Sequence, residues 1–349
     1  MANITRPPVP SATARFGFTG PRFLLTVDTE EEFDWDAPLN RESYTLDHLP
    51  ALAPFQSFCE AEGVTPIYMV DWPVANDDRA AAILRPALAR GTAEIGIQLH
   101  PWVNPPLEEA LTDRNSYAGN LPAALEEAKF LVLKERIETA FDARSCIYRA
   151  GRYGAGPATA EMLLRHGIGA DSSVRPLFDY SGSGGPDYRA HPTMPYWIDA
   201  DRRLLELPLT TAFWGLLRRQ GGSLYPSLWR MPALRGVLSR LGLLERVPLT
   251  PEGTTFEEAV RCIDMVLDDA NGTNGAAPPV LNISFHSPSL MQGKSPYARS
   301  ASEVAAIHDW LARVFAYLRL RGVEPTTVAA LLESAGRARP AAMRKTGAG

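Results

Sequence analysis

The chain is poor in the features that mark several protein classes. Its three cysteines, Cys59, Cys146 and Cys262, are far apart and odd in number. That excludes a disulfide framework and a CxxC-type metal site, and each cysteine reads as a small core residue. No uncharged apolar run reaches the ~20 residues that a membrane helix needs. Residues 1–20 are polar and proline-bearing and lack the apolar core of a signal peptide, so the expected compartment is the cytoplasm. There is no basic excess: 35 Lys and Arg stand against 40 Asp and Glu, a net charge of -5. Nucleic acid is therefore not an expected partner. Internal repeats and linker-like breaks are also lacking.

What the sequence does have is rhythm. Short β-rich runs alternate with longer helical patterns, the signature of a parallel α/β sheet or barrel. Strands are predicted at Phe23–Val27, Val64–Val70, Ala93–His100, Ser145–Arg149, Ile168–Ser172, Leu204–Leu209 and Val280–Phe285. Helices are predicted at Thr45–Glu62, Asp77–Arg90, Leu121–Phe141, Pro157–His166, Phe256–Asp269 and Ser300–Arg321. Asp77 is the expected N-cap of its helix and Gly91 the stop, and Pro86 should kink or interrupt it. Phe178–Ile198, rich in Gly, Pro and Tyr, reads as a loop. The expected organisation is a flexible arm over 1–20, one barrel-like α/β domain over 21–335 with a helical insertion at 211–250, and a disordered basic tail over 336–349.

In parallel α/β architectures, chemistry gathers where strands end. After the first strand comes Asp28-Thr-Glu-Glu-Glu-Phe-Asp-Trp35. Alternation puts Asp28 and Glu30 on one face, as two carboxylates that divide the roles of base and metal ligand, or as part of a solvated acidic loop. His100 closes the third strand, with Gln98 on the same face; it is either a metal ligand or a structural histidine. Arg149 ends the fourth strand ahead of Ala-Gly-Arg-Tyr-Gly154, where two glycines imply close backbone approach. A guanidinium there would orient the Asp28 carboxylate, or the stretch is an ordinary turn with solvated arginines. His286 ends the strand before Ser-Pro-Ser-Leu290 and is either a general acid or a hydrogen-bonded structural histidine. His48, His166, His191 and His308 read as structural or exposed.

Taken together, Thr26-Val-Asp-Thr-Glu-Glu-Glu-Phe-Asp-Trp35, Glu94-Ile-Gly-Ile-Gln-Leu-His-Pro-Trp102, Arg149-Ala-Gly-Arg-Tyr-Gly154, Asp171-Ser-Ser-Val174 and Ser284-Phe-His-Ser-Pro-Ser-Leu290 resemble, in this order, the motifs of NodB-homology polysaccharide deacetylases. These are carbohydrate esterase family 4, and the branch most resembled is the WalW type of lipopolysaccharide-biosynthesis protein. The resemblance implies a distorted (β/α)7 barrel and a hydrolase that removes acetyl groups from the amino sugars of a cell-surface glycan or its lipid-linked precursor. It implies Asp28 as base, Arg149 as its orienting partner, His286 as acid and Asp171 as an accessory residue. Trp102, Tyr153 and Leu290 would wall the sugar pocket, and the Tyr153 backbone N–H is a candidate oxyanion donor.

The metal half departs from the family, which has two adjacent aspartates and then two histidines four apart. Here Glu30 stands for the second aspartate, the second motif offers only His100 with Gln98 where a histidine would suit, and the residues four after Gln98 and His100 are Trp102 and Asn104. A divalent metal, zinc by resemblance, would rest on Glu30, His100 and Gln98, and glutamine is a poor zinc ligand. The alternatives are a metal-independent C–N amidase on the same barrel and a non-catalytic carbohydrate-binding or assembly protein. The insertion carries Arg218, Arg219, Arg230, Arg235 and Arg240 among Leu, Trp and Met. It suits either peripheral contact with an anionic membrane or a helical lid packed on the barrel.

Overall fold

The structure, a computed structural model, describes residues 2–9, 12–34, 37–229, 231–271 and 277–337. Trp35, Arg230 and the basic tail beyond Arg337 lie outside the described residues. The strands are β1 (Arg22–Thr29), β2 (Pro66–Val70), β3 (Glu94–Leu99), β4 (Ile147–Ala150), β5 (Ala170–Asp171), β6 (Tyr196–Trp197), β7 (Leu205–Glu206), β8 (Thr211–Trp214), β9 (Glu245–Pro248), β10 (Val280–His286) and β11 (Glu324–Pro325). The helices are α1 (Leu52–Ala61), α2 (Trp72–Ala75), α3 (Asp78–Arg90), α4 (Ala123–Phe141), α5 (Thr159–Arg165), α6 (Gly221–Trp229), α7 (Pro232–Arg240), α8 (Phe256–Asn271), α9 (Ala301–Leu320) and α10 (Val328–Arg337).

Seven strands pair in parallel in the order β10-β1-β2-β3-β4-β5-β7, and β6 adds antiparallel at the edge. The sheet curls into a half-barrel. Its open side, between β7 and β10, is bridged by loop backbone: Thr210 N donates to Asn282 O at 3.2 Å, Leu249 N to Thr210 O at 2.9 Å, and Ser284 N to Leu249 O at 3.4 Å. The parallel α/β sheet expected from the alternation is thus a seven-stranded half-barrel, left open at one seam and laced by loops.

Period-2 alternation separates two layers. On β1, Phe23, Leu25 and Val27 pack outward under the helices, while Leu24 points into the barrel. On β10, Leu281, Ile283 and Phe285 pack outward and Val280 inward. Inside, the lower layer is apolar: Leu24, Ile67, Met69, Ile147 and Val280. Toward the C-terminal ends the buried residues of the alternate series turn polar: Thr26, Asp28, Gln98, Arg149, Asn282 and Ser284. Among the described residues inside the barrel, the polar side chains thus gather toward the C-terminal ends of the strands.

The other end is sealed. Ala14 and Phe16 share the lower layer with Val328 and Leu331 of α10. Ile4 is fully buried, and its carbonyl meets His191 Nε2 at 2.9 Å. Within the arm expected over 1–20, the described apolar side chains Ile4, Ala14 and Phe16 are buried. Helix α3 runs through Pro86 without interruption; that residue is exposed, so water can take the carbonyl its ring leaves unbonded. Asp77 caps this helix, and Gly91 ends it in the left-handed conformation. Helix α1 starts later than expected because Thr45 is engaged elsewhere, in reciprocal backbone bonds with Glu32. The insertion is not helical throughout: β8 and β9 form an antiparallel base from which α6 and α7 rise.

The loops after β3 and β4 meet at a glycine pair. A Cβ on Gly119 would lie 2.1 Å from Gly156 N, and Gly119 N donates to Gly154 O at 2.8 Å. The neighbour is backbone and cannot step aside, so Gly119→Ala should cost about 2 kcal/mol of stability. A denaturant midpoint equal to wild type would contradict this close approach.

Candidate active site

The C-terminal ends of the strands surround a cavity of about 420 Å3 lined by Asp28, Glu30, Gln98, His100, Trp102, Arg149, Tyr153 and His286 among others. Arg149 lines it and is fully buried. A guanidinium has five N–H donors, and the structure supplies five bonds. Nε donates to Ser172 O at 3.0 Å, Nη1 to Ser284 Oγ at 3.2 Å, and Nη2 to Thr26 Oγ1 at 2.9 Å and Ser172 Oγ at 3.0 Å. The fifth joins Nη1 to Asp28 Oδ1 as an ion pair.

Asp28 and His286 are register partners on adjacent parallel strands. Asp28 Oδ2 is 3.8 Å from His286 Nε2. The other ring nitrogen, Nδ1, lies 2.7 Å from Glu252 Oε2, and His286 N donates to Glu252 Oε1 at 3.1 Å. Burial alone would lower the His286 pKa. The surrounding carboxylates, Glu252 and then Glu30 and Asp28, outweigh burial and push it up to about 10. At neutral pH His286 is an imidazolium with Nε2 facing the cavity.

The second cluster centres on His100. Nδ1 lies 2.8 Å from Glu31 Oε2, and the ring stacks on Trp102 at 4.3 Å. Trp102 Nε1 donates to the other Glu31 oxygen at 2.9 Å. Glu31 N donates to Asp71 Oδ2 at 2.8 Å, and the two carboxyls also bond to each other. Burial pushes Glu31 up to about 7 and Asp71 well above its usual range. One proton shared by the pair, with Asp71 holding it, leaves Glu31 to accept from His100 Nδ1–H. That fixes the tautomer with the Nε2 lone pair turned to the cavity, the carboxylate–histidine arrangement usual behind metal ligands.

Facing that lone pair are Glu30 Oε2, 3.4 Å from Nε2, and the Gln98 amide nitrogen, 3.0 Å from Glu30 Oε2 and 3.3 Å from His100 Nε2. Burial pushes Glu30 up to about 7, against the pull of His286 and His100. Gln98 Oε1 is buried and has no partner. An orphaned acceptor of this kind is costly. Turning the amide over would add Oε1 to Glu30 Oε2 and His100 Nε2 as a third donor for a divalent cation. The residues therefore fit a cation, with an oxygen-rich set that suits zinc less than a histidine pair would. Two further groups bring three ligand atoms within 4.8 Å of one another, Asp28–Glu30–His286 and Glu31–Asp71–His100.

Of the residues expected from sequence, the structure brings Asp28, Glu30, Gln98, His100, Trp102, Arg149, Tyr153 and His286 to one cavity. Two stand elsewhere. Asp171 is buried behind the site, where it accepts from Ser173 N and Ser173 Oγ, and burial pushes the neighbouring Glu206 well above its usual range. The carboxylate against His286 Nδ1 is that of Glu252. Leu290 is buried in the outer core and is not a cavity wall. The residues that sequence missed are Glu252, Glu31 and Asp71. Arg152 and Tyr153 both take left-handed backbone (φ 54° and 59°), strain that costs of order 1–3 kcal/mol each and gathers at functional sites. A Cβ on Gly151 would meet His100 Cδ2 at 2.4 Å, so the glycine expected to allow close approach presses on the His100 ring.

The Glu252 contact is testable without substrate. In Glu252→Gln the carboxylate that most favours the imidazolium is gone, so the His286 pKa falls. Histidine NMR should show one ring titrating near pH 10 in wild type and lower in the variant. An unmoved titration would contradict the contact.

No family model matches the chain, and no curated protein matches it in sequence. Solved structures do. A protein from Pseudomonas aeruginosa PAO1 described as a "probable Polysaccharide deacetylase" superposes with a TM-score of 0.50 at 14% identity, covering 92% of each chain. A GH57 branching enzyme from Thermococcus kodakaraensis also reaches 0.50, at 12% identity, covering 90% of this chain and 71% of its own. A family 4 acetyl xylan esterase from Clostridium thermocellum gives 0.42 at 15% identity, covering 89% and 90%. Two neighbours of equal score have different reactions in their descriptions, so the fold does not choose the chemistry. What the likeness establishes is the fold alone, a curled parallel-sheet half-barrel.

Proposed function

We propose that the chain is a hydrolase that removes an acetyl group from an amino sugar, breaking the amide C–N bond. The observation that carries this reading is the pairing of Asp28 with His286 across one cavity, each held from behind by a buried group of opposite charge. Asp28, oriented by Arg149, accepts a proton from water as the water oxygen bonds to the acetyl carbonyl carbon. The C–N bond then breaks while His286, held through Nδ1 by Glu252, gives its Nε2 proton to the departing nitrogen. Acetate and a free amine result. The Tyr153 backbone N–H is the proposed oxyanion donor, and Tyr153 with Trp102 offers the ring-facing surface. The acceptor we infer is a cell-surface glycan or its lipid-linked precursor, as the resemblance to the WalW-type branch implies.

Glu30, His100 and the Gln98 amide oxygen are the residues that would hold a divalent cation, which when bound would polarise the acetyl carbonyl. A metal-independent amidase is the second reading. It is favoured by the Gln98 amide nitrogen, whose two N–H groups already answer Glu30 and His100.

The test is acetate release from N-acetylglucosamine oligomers, with chelator, zinc or manganese. We expect release by wild type and a fall of about 10²–10⁴-fold in Asp28→Asn and in His286→Gln, the usual worth of a positioned acid or base. No acetate under any condition, or an Asp28→Asn variant equal to wild type, refutes the proposal. Metal content separates the two readings: a stoichiometric cation lost in His100→Ala supports the first, and full activity in metal-free protein supports the second.

A further inference from the structure

The insertion departs from the rest of the surface. Twelve large hydrophobic side chains are exposed among the described residues, and six of them fall within residues 216–241: Leu216, Leu224, Met231, Leu234, Val237 and Leu241. Leu216 is 80% exposed and Leu241 66%. Leu234 and Val237 of α7 and Leu241 at its C-cap follow a spacing of three and four and so share one face. In a globular protein such a stripe normally faces the core, and here it faces out. The charge is equally uneven. Residues 215–244 hold five arginines and no Asp, Glu or Lys, in a chain whose net charge is -5. Arg219 and Arg240 are exposed beside the apolar residues.

The insertion is also fixed next to the cavity. Arg246 of β9 lies over Phe178 at 3.5 Å and over Tyr225 of α6 at 4.7 Å. Pro248, Leu249 and Thr250, which follow directly, line the cavity itself. No helix among the described residues is long and apolar enough to cross a membrane, so any lipid contact made here is interfacial.

We propose that α6, α7 and the Leu216 turn form a docking surface for an anionic phospholipid bilayer, with the apolar stripe entering the headgroup layer and Arg218, Arg219 and Arg240 facing the lipid phosphates. The charge decides this occupant over a second copy of the chain, because the segment has no acidic residue to answer its own arginines. The surface would hold the cavity mouth beside a lipid-linked acceptor. Binding itself does not rest on the hydrolase reading, and its test needs no activity.

The full chain is sedimented with vesicles of phosphatidylcholine alone and with vesicles containing 30% phosphatidylglycerol, at about 0.1 M and 0.5 M salt. The expected result is binding to the anionic vesicles only, weakened by salt. Arg218→Ser/Arg219→Ser and, separately, Leu216→Ser/Leu241→Ser should each reduce the bound fraction at least about tenfold. The substituted leucines are exposed, so thermal unfolding should be unchanged and serves as the folding control. No binding to anionic vesicles at low salt, or binding that neither double variant weakens, overturns the proposal. Self-association abolished by the leucine variant in a protein that ignores vesicles assigns the face to a second copy and also overturns it.

Discussion

The guanidinium of Arg149 sits inside the half-barrel where no water is needed to satisfy it. Its bonds reach Thr26 and Asp28 on β1, Ser172 after β5 and Ser284 on β10, while its own backbone belongs to β4. The same atoms carry the network further: Asn282 Nδ2 donates to Ser172 Oγ at 3.0 Å, and Thr26 Oγ1 lies 3.1 Å from Asn282 Oδ1. One side chain thus ties strands on opposite walls of an open sheet. A buried charge is tolerated only when its geometry and hydrogen bonds are complete. That requirement places Asp28, and the register of β1 against β10 then places His286.

Two histidines at this end of the barrel are built alike from behind and face different groups. His286 has a carboxylate behind Nδ1 and further carboxylates ahead, so the proton stays on the ring. His100 has a carboxylate behind Nδ1 and meets the Gln98 amide and the Glu30 carboxylate ahead. The first arrangement suits a proton donor and the second a cation ligand. The protonated Asp71 behind Glu31 has a counterpart in Glu206 behind Asp171. Both are buried carboxyl pairs in which burial keeps one member neutral.

Strand ends were legible in the sequence because each chemical residue follows an apolar run and the runs alternate with helices. Asp28, His100, Arg149 and His286 could be found that way, and the lone glutamine at 98 already marked the departure at the cation site. Glu252 obeys the same rule, since it follows the apolar Val247–Leu249. It was obscured because that run lies at the end of an insertion and pairs with β8, outside the main sheet. Asp171 could not be separated from Glu252 by pattern, because which acid reaches His286 depends on how the open side of the sheet is laced. Glu31 falls next to Glu30 in a run of three glutamates, and only the turn after β1 decides which of them faces Gln98 and which faces Asp71. The N-terminal segment is too polar to read as core. Its place becomes apparent only from the apolar floor that it covers.

The account depends on the Arg149–Asp28 pair as a buried, mutually dependent unit, and a double-mutant cycle on stability tests that directly. Arg149→Met and Asp28→Asn are made singly and together, and unfolding is followed in denaturant. Each single change leaves a buried partner unanswered and should cost about 3–5 kcal/mol. The double change should cost at least about 2 kcal/mol less than the two costs added, because the second substitution removes the group that the first stranded. Strict additivity would show that the two residues do not depend on each other, and would contradict the account.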